Sequence, residues 1–368
     1  MAELTKNEML RIVEGTISKL KNKEFNIYFY VLDTKGNPSS ALEYIYQTAL
    51  VLHKKGYNVK MLHNEKNFIG VGEWLGEEYA NLPHANVEKD NVETSPSDFL
   101  FIPEIFANVM LQTKKLPCKR VIIVQNYKHI TEFMPVSHTL DTLNITDAIV
   151  TTRVQEGKLK SYFPDIRTHI VSPSIKKVFR NNNTPRKLII NIVSKEQSNM
   201  NQVVKPFYWK NPLYRWVSFR DLRGLPQETF AEALREAAIT VWMDEETSFG
   251  YSALEALRCG TILLAKIPKV PSDWMLSEDG NLTESVLWFD DIDAVPDMIA
   301  SAVRSWTFDQ VPSEVFTEQN KFTSLYTEEQ QEEEVQKAYI DELVARRISE
   351  FEEVKTDVEN NVIKTKDE

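Results

Sequence analysis

The sequence predicts an α/β protein made of two parallel-sheet halves. Three observations point there. Short runs rich in apolar and β-branched residues alternate with helix-period segments, the order that builds βαβ units. Turn clusters of Gly, Asn, Pro and Ser follow the runs rather than interrupt them. The whole pattern restarts after a polar stretch at Asn181–Pro185. A chain of 368 residues suits two domains at roughly 100–200 residues each.

In the first half, residues 5–22 read as an amphipathic helix, with Met9, Leu10, Ile12, Val13, Ile17 and Leu20 as its apolar positions. A β-type run at 25–32 leads into the turn Asp33-Thr-Lys-Gly-Asn-Pro-Ser-Ser. A helix from Ser40 to Lys55, stopped by Gly56, then precedes a strand at 58–62. Further strands are expected at 98–102, 120–124, 148–151 and 168–171. The unbroken apolar run of Arg120–Val124 is the signature of a strand covered on both faces.

In the second half, strands are expected at 188–193, 214–219, 239–243, 261–265 and 286–289. Helices are expected at 226–238, 252–259 and 295–306. The domains accordingly read as 1–180 and 186–320, followed by a helix over 321–355 that crosses back to the first domain and a disordered acidic tail at 356–368.

Composition narrows the function classes. Hydrophobic residues make up 42% and charged residues 26%, an ordinary globular balance. Two cysteines, Cys118 and Cys259, make neither a disulfide framework nor a four-cysteine zinc site. With no apolar leader at Met1–Lys6 and no run of about 20 apolar residues, a cytoplasmic protein without a membrane span is expected. The net charge of −11 is concentrated: residues 328–368 hold 6 basic and 14 acidic residues, hence −8. The first half is neutral, with lysine clusters at Lys19-Lys21-Lys23, Lys54-Lys55 and Lys114-Lys115 with Lys119-Arg120. These keep a nucleic-acid acceptor open as an alternative. No Gly-x-Gly-x-x-Gly and no Walker loop occurs, which counts against a dehydrogenase or a P-loop enzyme. Asp291-Ile-Asp293 reads as a strand-to-helix loop rather than a metal site, and the histidines show no paired metal spacing.

Ligands of open α/β sheets bind beyond the carboxyl ends of the strands. The sharpest segment there is Met243-Asp-Glu-Glu-Thr-Ser-Phe-Gly-Tyr-Ser-Ala-Leu-Glu-Ala-Leu-Arg-Cys-Gly260. A buried strand ends at Met243, and a helix starts near Tyr251. The amides of Phe249, Gly250, Tyr251 and Ser252, with the helix dipole, would attract a phosphate. Ser248 is a candidate cap or phosphate partner. Glu255, a turn deeper, could accept from a ribose hydroxyl pair, and Glu246 could face a donor sugar. A plain helix cap beside a solvated acidic triplet is the competing reading.

This segment resembles the signature of retaining GT-B glycosyltransferases of the family 4 or group 1 type. Phe249-Gly250, Glu255-Ala256 and Gly260 match its register. The pattern's first Glu would fall at Thr247, with Glu246 one position early. The resemblance extends to the loop Asp33–Ala41 with Lys55-Gly56-Tyr57, to Thr146–Thr151, and to Glu236–Val241. It implies two Rossmann-like domains facing a cleft, a nucleotide sugar as co-substrate without other cofactor or metal, and transfer with retention to a glycan or other hydroxyl acceptor. Glu246, Thr247 and Asn126 are then the expected catalytic positions. Gly36, Asn37, Ser194, Lys195, Arg220, Ser248, Phe249, Gly250, Tyr251, Ser252 and Glu255 are expected to hold the donor, which is expected to be UDP-linked. Lys195, with Lys205 next, is the candidate cation for the diphosphate. A base-modifying enzyme acting on DNA and a degenerate protein that binds a nucleotide sugar without turnover are the alternatives.

Overall fold

A computed structural model describes residues 5–311, 321–322 and 324–360. The chain forms two compact units. The first takes residues up to Thr151, Gln155–Val171 and the stretch from Glu332 onward; the second takes Thr152–Val154 and Ser172–Gln331.

The first unit carries strands β1 (Asn26–Tyr30), β2 (Asn58–His63), β3 (His84–Asn86), β4 (Phe99–Pro103), β5 (Lys119–Val124), β6 (Asp147–Val150) and β7 (Arg167–Ile170). All pair in parallel, in the order β3-β2-β1-β4-β5-β6-β7. The helices of this part of the chain are α1 (Lys6–Lys21), α2 (Ser40–Lys54), α3 (Gly72–Leu75), α4 (Glu77–Ala80), α5 (Ala107–Gln112), α6 (Tyr127–Phe133) and α7 (Arg153–Tyr162). A capping box between Thr5 and Glu8 starts α1, satisfying amides that the first turn leaves open. The Ser39 hydroxyl does the same for α2.

The second unit carries β8 (Lys187–Val193), β9 (Ser218–Asp221), β10 (Ala237–Trp242), β11 (Ile262–Lys266) and β12 (Leu287–Phe289), parallel in the order β12-β11-β10-β8-β9. Its helices are α8 (Gln197–Lys210), α9 (Gln227–Glu236), α10 (Tyr251–Cys259) and α11 (Val295–Thr307). β10 is buried at every position, as the centre of a doubly covered sheet must be.

A helix then runs through α12 (Glu328–Val335), a π-helical segment at Gln336–Val344 and α13 (Ala345–Glu359). Val335, Ala338, Tyr339, Leu343 and Val344 join the first unit's core beside Phe29, Tyr44 and Phe101. The Tyr339 ring lies 4.6 Å from Phe101 and 6.0 Å from Phe29. Burying a side chain of that size stabilises by about 1.5–3 kcal/mol. At the other end of the sheet, the fully buried Asp147 is ringed by Lys119 at 2.8 Å, Arg167 at 2.9 Å, His169 at 3.6 Å and Arg346 at 2.6 Å. Burial alone would raise this carboxyl, but the nearby His169 ring, the hydrogen bonds from Arg167 and the Lys119 charge hold it well below the usual carboxylate range.

Several expectations shift. The first unit closes at Val171, because Ile175 and Phe179 are buried in the second unit's core, ahead of the Asn181–Pro185 stretch expected as the linker. The strand expected at 214–219 begins only at Ser218; Pro212–Tyr214 form a 3-10 turn instead. The helix α13 runs through residues 356–359, which were expected in the disordered tail; residues 361–368 of that tail and 312–320 of the second half lie outside the described residues. Cys118 and Cys259 are both buried free thiols. No helix among the described residues is long and apolar enough to cross a membrane.

Candidate functional site

In each sheet one gap separates strands whose following connections run in opposite directions. In the second unit, β8 leads to β9 on one side and β10 leads to β11 on the other. The loops that diverge there follow β8, at Ser194–Glu196, and β10, at Met243–Gly250. Such a divergence opens the crevice in which doubly wound sheets hold ligands.

Gly250 makes the turn into α10. Its φ of +79° is left-handed, a region a side chain enters at a cost. A Cβ there would lie 2.6 Å from the Met275 methyl and 3.3 Å from Trp274. The Trp274 indole donates to the Phe249 carbonyl at 2.6 Å, and the Phe249 ring packs edge-on against Tyr251 and Tyr326. The turn is therefore anchored from below by aromatic packing. No side chain caps α10, so its amino end presents first-turn amides and the positive end of its dipole at the sheet's carboxyl edge. Gly260, also left-handed at φ +82°, ends the helix.

The predicted residues divide by what they touch. Thr247 turns inward: its hydroxyl accepts the Gly250 N–H at 2.9 Å. That bond takes the place expected for a Ser248 cap, because residue 247, three before Gly250, sits where a side-chain oxygen reaches back over the turn. The Ser252 hydroxyl accepts from the Trp242 indole at 3.1 Å and faces the core. Glu246, half-exposed, pairs with Lys269, and Glu245 lies 3.6 Å from Lys266 and 3.5 Å from Lys269. Glu245 and Glu246 are thus matched by lysines at the end of β11 and in the loop after it. Glu255 is half-buried one turn into α10, on the face of Tyr251. The Cys259 thiol, four residues on, is pushed up to about 12, first by burial and then by the charge of Glu255.

Across the gap, the Ser194 hydroxyl accepts from the Glu196 backbone N–H at 3.2 Å and from the Asn199 side-chain amide at 3.1 Å, shaping the start of α8. The Lys195 ammonium reaches the carboxylate of Asp244 at 2.7 Å while three-quarters exposed. A cation and the amino end of α10 therefore flank the same crevice. Arg220 sits elsewhere: it pairs with Glu236 at 3.0 Å, beside Lys187 at the opposite edge of the sheet. Arg223 is held by Asp221, its Nε 2.9 Å from the nearer oxygen. Asp291 caps the short turn Ile292–Ala294 by accepting the Asp293 amide.

In the first unit the same divergence falls between β1 and β4, at the loops Asp33–Ser39 and Glu104–Phe106. Gly36, at φ +79°, and Asn37 form a tight turn: the Asn37 amide and side chain both donate to the Thr34 carbonyl, at 3.1 and 2.8 Å. The buried carboxylate of Glu104 accepts the Asn126 N–H at 2.8 Å and lies 3.3 Å from His129. Its hydrogen bond raises the His129 imidazole above its ordinary value. The Asn126 side chain accepts the Lys128 amide at 3.2 Å and caps α6. In the sequence, Ile102-Pro-Glu104 and Val124-Gln-Asn126 stand out only as strand-end loops resembling those of some family members; that the Glu104 carboxylate joins the two is seen only in the structure.

No protein-family profile matches the chain, and no curated protein matches it. Solved structures do. The pneumococcal O-GlcNAc transferase GtfA, in complex with UDP and GlcNAc, superposes with a TM-score of 0.58 at 8% identity, over 91% of this chain and 99% of that one. Anabaena HepE in complex with UDP-glucose gives 0.58 at 8% identity over 85% and 99%, and TarM gives 0.59 at 9% identity over 88% and 98%. The two parallel α/β units of this chain are the GT-B fold of the glycosyltransferases.

Proposed function

We propose that the protein transfers a sugar from a nucleotide sugar, UDP-linked, to a hydroxyl acceptor such as a glycan. The observation that carries this reading is the junction of β10 with α10 at the point where the second sheet's connections diverge. Left-handed Gly250, the open helix end, Glu255 one turn in, and Lys195 on the neighbouring strand end gather there. Two of the structures with this fold contain UDP or UDP-glucose.

The chemistry follows from charge. Transfer leaves a nucleoside diphosphate and passes through an oxocarbenium-like sugar. The α10 amides and Lys195, released from Asp244, would neutralise the leaving diphosphate. Glu255 would accept the ribose hydroxyls. Transfer with retention and without a metal is part of the same proposal. The acceptor would be bound by the first unit. Its lysine clusters are partly spent within the protein: Lys21 pairs with Glu352, Lys54 with Glu78 and Lys119 with Asp147. That favours a small or glycan acceptor over nucleic acid.

A second reading rests on Thr247 and Glu246. The first closes the turn and the second meets Lys269, so a protein that binds the nucleotide sugar without turnover has its own support. Thermal shift with UDP, paired with slow UDP-sugar hydrolysis, separates them. Stabilisation with hydrolysis supports transfer; stabilisation without it supports binding alone. No stabilisation by any nucleoside diphosphate refutes both.

A further inference from the structure

The first unit holds a pocket that the donor chemistry leaves unused. It encloses about 430 Å³, within the range of small-molecule sites. It opens beyond β2 and β3, whose last residues His63 and Asn86 both line it. It is therefore set off from the gap between β1 and β4. The Phe68 ring stacks on His63 at 4.1 Å and meets His84 at 5.0 Å. Ile69 and Val71 complete an apolar wall, a lining suited to the C–H face of a small saturated ring.

Three buried polar atoms of these residues and their neighbour have no hydrogen-bond partner: His63 Nδ1, His84 Nδ1 and Glu65 Oε2. His63 Nδ1 stands 3.9 Å from Glu65 Oε2. That is too long for a hydrogen bond. The other Glu65 oxygen faces the Asp33 amide at 3.5 Å, and Asp33 in turn accepts the Ile69 N–H at 3.2 Å. The pocket wall is thus tied to the loop after β1.

The charged residues of the lining are both lysines, Lys66 and Lys89. The Lys89 ammonium donates to the Lys66 carbonyl at 3.3 Å, which holds it at the rim. His84 is drawn down to about 4, by burial first and then by His63, so its ring is neutral at pH 7 and reports any change beside it.

We propose that this pocket binds a small hydroxylated ring bearing a phosphate, with the ring against Phe68 and the phosphate between Lys66 and Lys89. Under the glycosyl-transfer reading above, on which this naming of its role rests, that sugar phosphate is the acceptor. Binding itself is independent of that reading.

The test titrates glucose 6-phosphate, glucose and inorganic phosphate into the full chain and follows the His63 and His84 imidazole resonances, assigned with His84→Gln. Glucose 6-phosphate should move both resonances saturably and bind at least about tenfold more tightly than glucose, with inorganic phosphate leaving them in place. The pair Lys66→Gln and Lys89→Gln, both on the exposed rim, should erase that advantage without changing the melting temperature. The proposal is overturned if no saturable shift occurs at millimolar ligand, if glucose binds as tightly as its phosphate, or if the double variant binds unchanged. It is also overturned if UDP produces the same shifts. UDP stabilisation is read at α10 without the sugar phosphate, so either reading can fail alone.

Discussion

The Thr247 hydroxyl holds the Gly250 amide at 2.9 Å, and this bond closes the loop that delivers α10 to the sheet edge. Replacing Thr247 with Val keeps the shape and removes the acceptor, leaving a part-buried N–H unpaired. The expected cost is about 1–3 kcal/mol of stability, together with a weaker UDP-induced rise in melting temperature. Thr247→Ser should restore both. Equal stabilisation by UDP in the Val and Thr proteins would show that the loop's closure does not matter to the donor.

Gly250→Ala tests the turn itself. The added methyl would meet the Met275 side chain at 2.6 Å, in a backbone region that disfavours it. A loss of about 1–3 kcal/mol is expected in chemical denaturation. An Ala protein as stable as the parent would mean that Met275 and Trp274 yield freely.

Glu255→Ala should abolish the stabilisation by UDP while leaving circular dichroism unchanged, because the residue is half-buried on a helix whose core contacts come from Leu254, Ala256 and Leu257. A shift of full size in the variant would remove Glu255 from the ribose.

Asp147 gives the protein an acid limit. Its folded carboxyl is held below the ordinary value, so its contribution is complete above the unfolded pKa of about 4 and fades as pH falls through and below that value. Asp147→Asn leaves Lys119, Arg167 and Arg346 without their buried counter-charge. A cost of about 3–5 kcal/mol is expected at pH 7, with a shallower loss of stability on acidification. A parallel pH profile would place the acid sensitivity in other carboxylates.

Tyr339 offers the opposite sign. Its hydroxyl is buried without a hydrogen-bond partner among Phe29 and Phe101. Tyr339→Phe should be neutral or raise stability by about 1 kcal/mol. A clear loss in calorimetry would reveal a partner for that hydroxyl.

The alternation of apolar runs and helices was readable because buried parallel strands such as β5 and β10 are apolar end to end. What escaped was set by context. β3 is three residues, His84–Asn86, with no apolar period. α8 contains Pro206, which the sequence alone argues against, yet Val203 and Phe207 bury fully against the sheet. At the β10–α10 junction, spacing placed Gly250 at the turn and Glu255 one turn into the helix. It could not show that Thr247 rather than Ser248 reaches back over the turn, or that Arg220 leans toward Glu236 at the other end of its strand. The pocket of His63 and His84 has no motif at all, since residues 21 apart in sequence meet only through the pairing of β2 with β3.

The membership of Tyr339 and Leu343 in the first core has a consequence for synthesis. A ribosome releases β1 to β7 long before the segment that seals them, so the nascent sheet must wait with an open flank. The second unit, nearly continuous in the chain from Ser172, finishes first. The helix that follows the second unit is then the latch that completes the half made earliest.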